Sequence, residues 1–260
     1  MKKVDYLKEL DFAKKLALKA GKIMIKYFDG DQKVKLKKDN SAVTIADIEI
    51  NEMVIKELSK KFPKDGIIGE ERSISEYGMG RIWFYDPVDG TAAYTWGVPT
   101  AMFSLALVVD GTPVMGVTYD PFLKKMYSAY KGSGSFCNDK KIKVSSIGLD
   151  KGVLAVPGSI RRLSDLPYFK TLKDLPTNLA IFSGAVYKTC LVATGRFVGH
   201  IEPAVSAHDM AAVHVIIEEA GGKITGYRGE KLDYSKPFKG SIVSNKKIHN
   251  QLVDLVNNKV

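Results

Sequence analysis

Trp83-Phe84-Tyr85-Asp86-Pro87-Val88-Asp89-Gly90-Thr91-Ala92-Ala93-Tyr94 is the stretch around which the rest of the chain is organised. The apolar run from Ile82 to Tyr85 reads as a buried strand, and two aspartates three residues apart mark its end. Pro87 fixes its own φ and biases Asp86 away from helix, so the chain is expected to leave the strand extended. Gly90 then lets the backbone approach whatever lies between the carboxylates. Two acids at a strand end, followed by Gly-Thr, suit a hard divalent cation and the phosphate it carries. The competing reading is a solvated Asp-rich turn capped by Thr91. The surrounding sequence decides between them.

Working outward toward the N-terminus, Gly69-Glu70-Glu71 places a second acidic pair just past the short apolar strand Ile67-Ile68. Ligands collect at strand ends of open α/β sheets, so the repetition carries weight. Thr44 reads as an N-cap, with Asp47 at the third helical position and Ile48, Asn51, Val54, Ile55 and Leu58 following at helical spacing. Asp47 is either the reciprocal half of that capping box or an acid aimed at the site. From Tyr6 to Phe28 apolar residues recur at intervals of three and four, which predicts an amphipathic helix ended by Asp29-Gly30.

Toward the C-terminus, Met102–Val109 and Pro113–Asp120 predict a hairpin closed by Asp110-Gly111, with a further strand at Met126–Tyr130. Gly132-Ser133-Gly134-Ser135 reads as a flexible turn. Residues 140–150 are polar, and a boundary is placed there, giving halves 1–145 and 146–260. The second half predicts a strand near Val153–Val156, a helix from Gly184 to Thr194 and a strand near Phe197–Glu202. An apolar helix then opens at Ala207-His208-Asp209 and is capped by Gly221-Gly222, followed by a strand at Ile242–Ser244 and a helix from Ile248 to Val256. Strands and helices alternate in both halves, which predicts a layered α/β or α+β protein.

Composition closes off other classes. A chain of 260 residues, 45% hydrophobic and 26% charged, can bury a full core. No apolar run approaches the roughly 20 residues of a membrane span, and Met1-Lys2-Lys3 leads into an amphipathic pattern, not a signal peptide. Cys137 and Cys190 lack C-x-x-C spacing, so a reducing cytoplasm is expected. The net charge of +10 is spread over dispersed lysines, with short runs at Lys33–Lys38 and Lys140–Lys143. Such dispersal reads as solvated surface and no dedicated nucleic-acid patch.

Taken together, Gly69-Glu70-Glu71, Asp86-Pro87-Val88-Asp89-Gly90-Thr91 and His208-Asp209 with the later Glu-Ala-Gly-Gly resemble the inositol monophosphatase family. That family belongs with the fructose-1,6-bisphosphatases to a lithium-sensitive, magnesium-dependent phosphatase superfamily. The resemblance runs from Val43-Thr44-x-x-Asp47 to the glycine pair. It implies a layered αβαβα sandwich, a homodimer, and hydrolysis of small phosphate monoesters with two or three Mg²⁺ per site. Carried over residue by residue, it makes Glu70, Asp86, Asp89, Asp209 and the Val88 carbonyl metal ligands. It implies a catalytic group of Glu70, Thr91 and Asp47. Asp89, Gly90, Thr91 and Glu202 fall at substrate-contacting positions, the Gly90 and Thr91 amides facing phosphate at a helix N-terminus.

The charge argument points the same way: four carboxylates converge in a basic protein only with divalent cations to neutralise them. Inositol 1-phosphate is the favoured substrate, with fructose 1,6-bisphosphate as a second and 3′-phosphoadenosine 5′-phosphate as a weaker alternative. The non-enzymatic alternative is a polyanion- or RNA-binding protein on the same fold. Departures fall on the substrate side. His208 stands where the family has tryptophan, Ala92-Ala93-Tyr94 replaces Thr-Asn-Phe, and Ser183–Lys188 matches only loosely. His208 and His214 read as packed on their helix, because Mg²⁺ prefers oxygen. Lys188 reads either as a phosphate contact or as a solvated lysine.

Overall fold

Along β4 (Arg81–Asp89) successive side chains point to opposite faces of a sheet, and both faces are covered. Trp83 and Tyr85 enter a core shared with α1 (Leu7–Phe28) and α2 (Ile45–Lys61). Ile82 and Phe84 enter another, shared with α6 (Ala185–Ala193) and α7 (Ala207–Glu219). This is why the run is continuously apolar instead of alternating. The structure is a computed structural model that describes residues 5–37 and 42–258, so Met1-Lys2-Lys3 and Lys38 of the basic run lie outside the described residues.

β4 belongs to a seven-stranded sheet. Its order is β3 (Gly66–Gly69), β4, β5 (Met102–Val109), β6 (Thr112–Asp120), β7 (Lys125–Tyr130), β8 (Ser135–Cys137) and β9 (Lys140–Ile142). Only β3 and β4 run parallel; the remaining neighbours are antiparallel. A five-stranded sheet follows in the order β11 (Asn178–Ile181), β10 (Val153–Val156), β12 (Gly199–Glu202), β14 (Ser241–Ser244) and β13 (Lys223–Gly226). Here β10 is parallel to β11 and β12, and β14 is antiparallel to β12 and β13. The outer face of this sheet is covered by α4 (Ile160–Ser164), α5 (Phe169–Asp174) and α8 (His249–Val256) through Leu163, Leu172 and Leu252. The layers therefore run α1/α2, seven-stranded sheet, α6/α7, five-stranded sheet, α4/α5/α8. This is the αβαβα sandwich that the resemblance implies.

The middle layer holds the molecule together. α7 buries Met210, Ala211, Val213, Ile216 and Ile217 in the same core as Phe84 and Ala106 of one sheet and Ile224 and Val243 of the other. Each of the larger side chains among them (Val, Ile, Met and Phe) contributes about 1.5–3 kcal/mol relative to exposure. The helix lies very close to β6 at Gly116, where an added Cβ would fall 2.2 Å from the Ala212 carbonyl oxygen.

Several expectations need correction. The strand does not end before the aspartates: Asp86 and Asp89 both lie within β4. The Gly132–Ser135 segment is held in place, because Glu219 accepts from the Gly132 and Gly134 amides at 2.7 Å each and Ser135 starts β8. The last strand of the first sheet ends at Ile142 and the first strand of the second begins at Val153.

Candidate active site

The two aspartates of β4 share a face because the strand is bulged between them. Asp86 stands opposite Ser104 and Asp89 opposite Met102, so three steps on β4 match two on β5. One extra residue resets the alternation. Val88 is buried with Trp83 and Tyr85, whereas Asp86 and Asp89 turn toward α7. There Asp209 meets them: one carboxylate oxygen from each of Asp86, Asp89 and Asp209 lies within 4.8 Å of the others.

Each acid is locally fixed. Asp86 Oδ1 accepts from the Val88 amide at 2.9 Å. Asp89 reaches across the chain and caps α6, accepting from the Ala185 and Val186 amides at 3.1 and 2.9 Å. This close approach depends on two glycines in contact. Gly90 has φ +87° and Gly184 φ +105°, and a Cβ on Gly90 would fall 3.1 Å from the Gly184 Cα. Asp209 is the third residue of α7 and accepts from the Ser206 amide at 2.7 Å. Asp47 holds the same position in α2, accepting from the Thr44 amide and hydroxyl at 2.7 and 2.6 Å.

Burial pushes the Asp86 carboxyl far above the usual carboxylate range, helped by the charges of Glu70, Asp89 and Asp209. Burial and the neighbouring Asp209 raise Asp89 to about 8, and burial raises Asp209 as well. Asp47 is pushed up to about 7, again first by burial, and its Oδ1 has no hydrogen-bond partner. Raised folded-state pKa values make ionisation oppose folding. Stability is fully present below pH about 4 and is lost as pH rises toward 8. Metal-stripped protein should therefore lose thermal stability between pH 5 and 8, and millimolar Mg²⁺ should restore more of it at pH 8 than at pH 6. A thermal melt series with and without EDTA checks this. A metal-induced shift that shrinks with rising pH contradicts it.

The cluster opens into a cleft of about 650 Å³ whose lining includes Glu70, Gly90, Thr91, Lys188 and Glu202. Glu70 lies on the cleft wall but outside the three-aspartate group, and Lys37 holds it at 2.8 Å while also pairing with Glu71 at 2.6 Å. Lys37 follows β1 (Lys35–Leu36), which pairs with β2 (Ala42–Val43) in a small arm beside the cleft. Thr91 opens the short helix α3 (Thr91–Thr95), and its hydroxyl donates to the Val88 carbonyl at 2.9 Å. Of the implied group Glu70, Thr91 and Asp47, Thr91 and Asp47 are not hydrogen-bonded to each other: Asp47 is engaged with Thr44 and Thr91 with the Val88 carbonyl.

Glu202 stands at the end of β12, and Lys188, on the cleft lining, is not a solvated lysine. Its side chain is 1% exposed, donating to Glu202 Oε2 at 2.9 Å and to the Val156 carbonyl at 3.0 Å. Sequence reasoning missed this pair, since the two residues come from different elements with no shared motif. His214 bonds the Tyr234 hydroxyl at 3.1 Å, and His208 is 3.6 Å from Asp209 without joining the three-carboxylate group.

The donor set suits a divalent cation. It offers carboxylate oxygens only, and among the described residues no hydrogen-bond donor falls on Asp86 Oδ2 or Asp209 Oδ1. The buried Asp47 Oδ1 has no hydrogen-bond partner among the described residues. Such a set matches the hard-ligand preference of Mg²⁺ and Ca²⁺.

Known proteins share this architecture and much of the sequence. Residues 5–260 match the inositol monophosphatase family. The chain is 37% identical over 227 residues to a histidinol-phosphatase of Chlorobaculum parvum, covering 86% of this chain and 87% of the relative. It is 32% identical over 250 residues to a fructose-1,6-bisphosphatase/inositol-1-monophosphatase of Thermotoga maritima, covering 95% of both. A solved inositol monophosphatase from Thermotoga maritima superposes with a TM-score of 0.88 at 29% identity, covering 96% of this chain and 97% of that one. With a match across nearly its whole length and a metal-compatible acidic cluster at the heart of the fold, the chain belongs to the inositol monophosphatase family of phosphatases.

Proposed function

We propose that the protein hydrolyses phosphate monoesters of small polyols with Mg²⁺, inositol 1-phosphate being the preferred substrate. The observation that carries this reading is the convergence of Asp86, Asp89 and Asp209 at the floor of a cleft that also contains Thr91 and Glu202. Asp86, Asp89, Asp209, Glu70 and the Val88 carbonyl would hold the metal, which when bound supplies an acidified water and charge neutralisation at the leaving oxygen. Thr91 fixes the Val88 carbonyl through its hydroxyl and keeps its own oxygen at the cleft wall. The Gly90 and Thr91 amides present N–H groups to a phosphate. Glu202 accepts a substrate hydroxyl, since nothing among the described residues donates to its Oε1.

Two other substrates have specific support. Arg162 on the cleft wall offers a charge for the second phosphate of fructose 1,6-bisphosphate, which also appears in the name of the Thermotoga maritima relative. Histidinol phosphate is suggested by the name of the Chlorobaculum relative. A phosphate-release panel with these three substrates, at millimolar Mg²⁺ and with EDTA, tests the reading. Metal-dependent release is expected, fastest on inositol 1-phosphate; no release from any of them refutes it. Lithium should inhibit by replacing a metal after turnover, giving uncompetitive or noncompetitive patterns, and competitive inhibition would contradict that order of events.

We further infer a homodimer in the cytoplasm. Cys137 and Cys190 are unpaired, as in a reducing compartment, and among the described residues no helix is long and apolar enough to cross a membrane. Sedimentation analysis checks the oligomeric state.

A further inference from the structure

Lys188 and Glu202 form an ion pair on the substrate side of the cleft, and its position is unusual for a pair of charges. Lys188 lies on α6, whose first amides are capped by Asp89, so the helix carries the lysine from the metal-compatible cluster toward the substrate wall. Its ammonium meets the carboxyl ends of two parallel strands, the Val156 carbonyl of β10 and the Glu202 carboxylate of β12. Both side chains line the cleft, yet Lys188 is 1% and Glu202 10% exposed, so water screens the pair weakly. Burial pushes the Glu202 carboxyl up, but His200 and Lys188 outweigh it and hold the group at about 2. His200 itself is brought down to about 4 by burial and by Lys188, which leaves it uncharged at neutral pH. The wall thus sets the Glu202 carboxylate and the Lys188 ammonium against each other at 2.9 Å.

We propose that Lys188 is a specificity-determining residue: by neutralising Glu202 it makes the substrate wall accept a hydroxyl and reject a cationic leaving group. A bare Glu202 would attract the ammonium of an amino alcohol through a weakly screened charge pair. With Lys188 beside it, the same ammonium meets a like charge and finds the carboxylate already engaged. An uncharged polyol hydroxyl still donates to the free Glu202 Oε1 and meets no repulsion. The chain thus favours polyol phosphates over amino-alcohol phosphates, although a relative at 37% identity carries the name histidinol-phosphatase. The inference rests on the phosphatase reading above and sharpens its substrate class.

The test is the ratio of kcat/KM for histidinol phosphate over inositol 1-phosphate, measured on one set of variants so that general losses cancel. Lys188→Gln bares the carboxylate and should raise the ratio about tenfold or more, the scale of one charged hydrogen bond. Glu202→Gln keeps an amide oxygen to accept the polyol hydroxyl but bares the ammonium, and should lower the ratio. The double variant Lys188→Gln/Glu202→Gln removes both charges and should return within about threefold of the parent, a non-additivity that mere disruption does not produce. Lys188→Arg should keep the parental ratio. If Lys188→Gln fails to fold, the opposite shift in Glu202→Gln and the recovery in the double variant still decide. Ratios unchanged in the single variants, or a double variant that keeps the shift of Lys188→Gln, overturn the inference while leaving the phosphatase reading intact. A parent without Mg²⁺-dependent release from either substrate overturns that reading and this inference with it.

Discussion

Replacing Asp89 by asparagine is expected to lower kcat by about 10²-fold or more, equivalent to about 2.7 kcal/mol of transition-state stabilisation. The carboxylate does two things at once. It contributes one of the three converging oxygens, and both of its oxygens accept from the first amides of α6. Asparagine keeps the shape and one acceptor, but its NH₂ turns a donor toward either the helix amides or the cluster. One of the two partners is then lost, along with a full negative charge. Apparent Mg²⁺ affinity should fall together with kcat, whereas the melting temperature of metal-stripped protein should change little or rise. The sign follows from the raised carboxyl: removing a charge that opposes folding is not destabilising. Steady-state kinetics across a Mg²⁺ titration, with a melt of the stripped protein, checks both. Near-parental turnover at saturating Mg²⁺ removes Asp89 from the site.

Thr91→Ala should cost about 10²-fold in kcat, with KM changed by less than about threefold. The hydroxyl donates to the Val88 carbonyl and stands on the cleft wall beside Asp86 and Asp89. Alanine removes that donor and also the only side-chain oxygen at the start of α3. A loss confined to kcat fits a group that acts on the reacting atoms and not on ground-state binding. Asp47→Asn is the informative companion. Its Oδ2 is committed to Thr44, but its buried Oδ1 has no partner and its carboxyl is raised to about 7. If Asp47 supports Thr91 during turnover, the double variant will be far from additive. If it only caps α2, the two losses will add.

The parts of the fold that were legible in sequence are those where a local pattern and the tertiary environment agree. α1 and α7 show a clear 3.6-residue period or an apolar body with capping residues at both ends, and β5 and β6 flank an Asp-Gly turn. The short helices α4 and α5 have no side-chain cap, and the edge strand β11 is partly exposed and irregular in pattern, so neither announces itself. The Asp86-Pro87-Val88-Asp89 segment shows the limit most clearly. Its residue types suggested two acids near one another. That they face the same way depends on a bulge opposite Ser104 and Met102, which only the partner strand defines.

The Lys188–Glu202 pair lay further out of reach. The two residues sit 14 positions apart on a helix and a strand, and a lone lysine carries no sign that it will be buried. Asp47 was legible as a capping box, and the structure shows that box formed. Glu219 closed the helix motif in sequence, but its grip on the Gly132 and Gly134 amides spans more than eighty residues.

The role proposed for the Asp86–Asp89–Asp209 cluster is to hold divalent cations that activate the water attacking a phosphate monoester. Its most direct test is phosphate release from inositol 1-phosphate by protein stripped with EDTA and then titrated with Mg²⁺. No release is expected from the stripped protein, with a saturable return of activity over millimolar Mg²⁺. Release at the same rate in EDTA and in Mg²⁺ would contradict it.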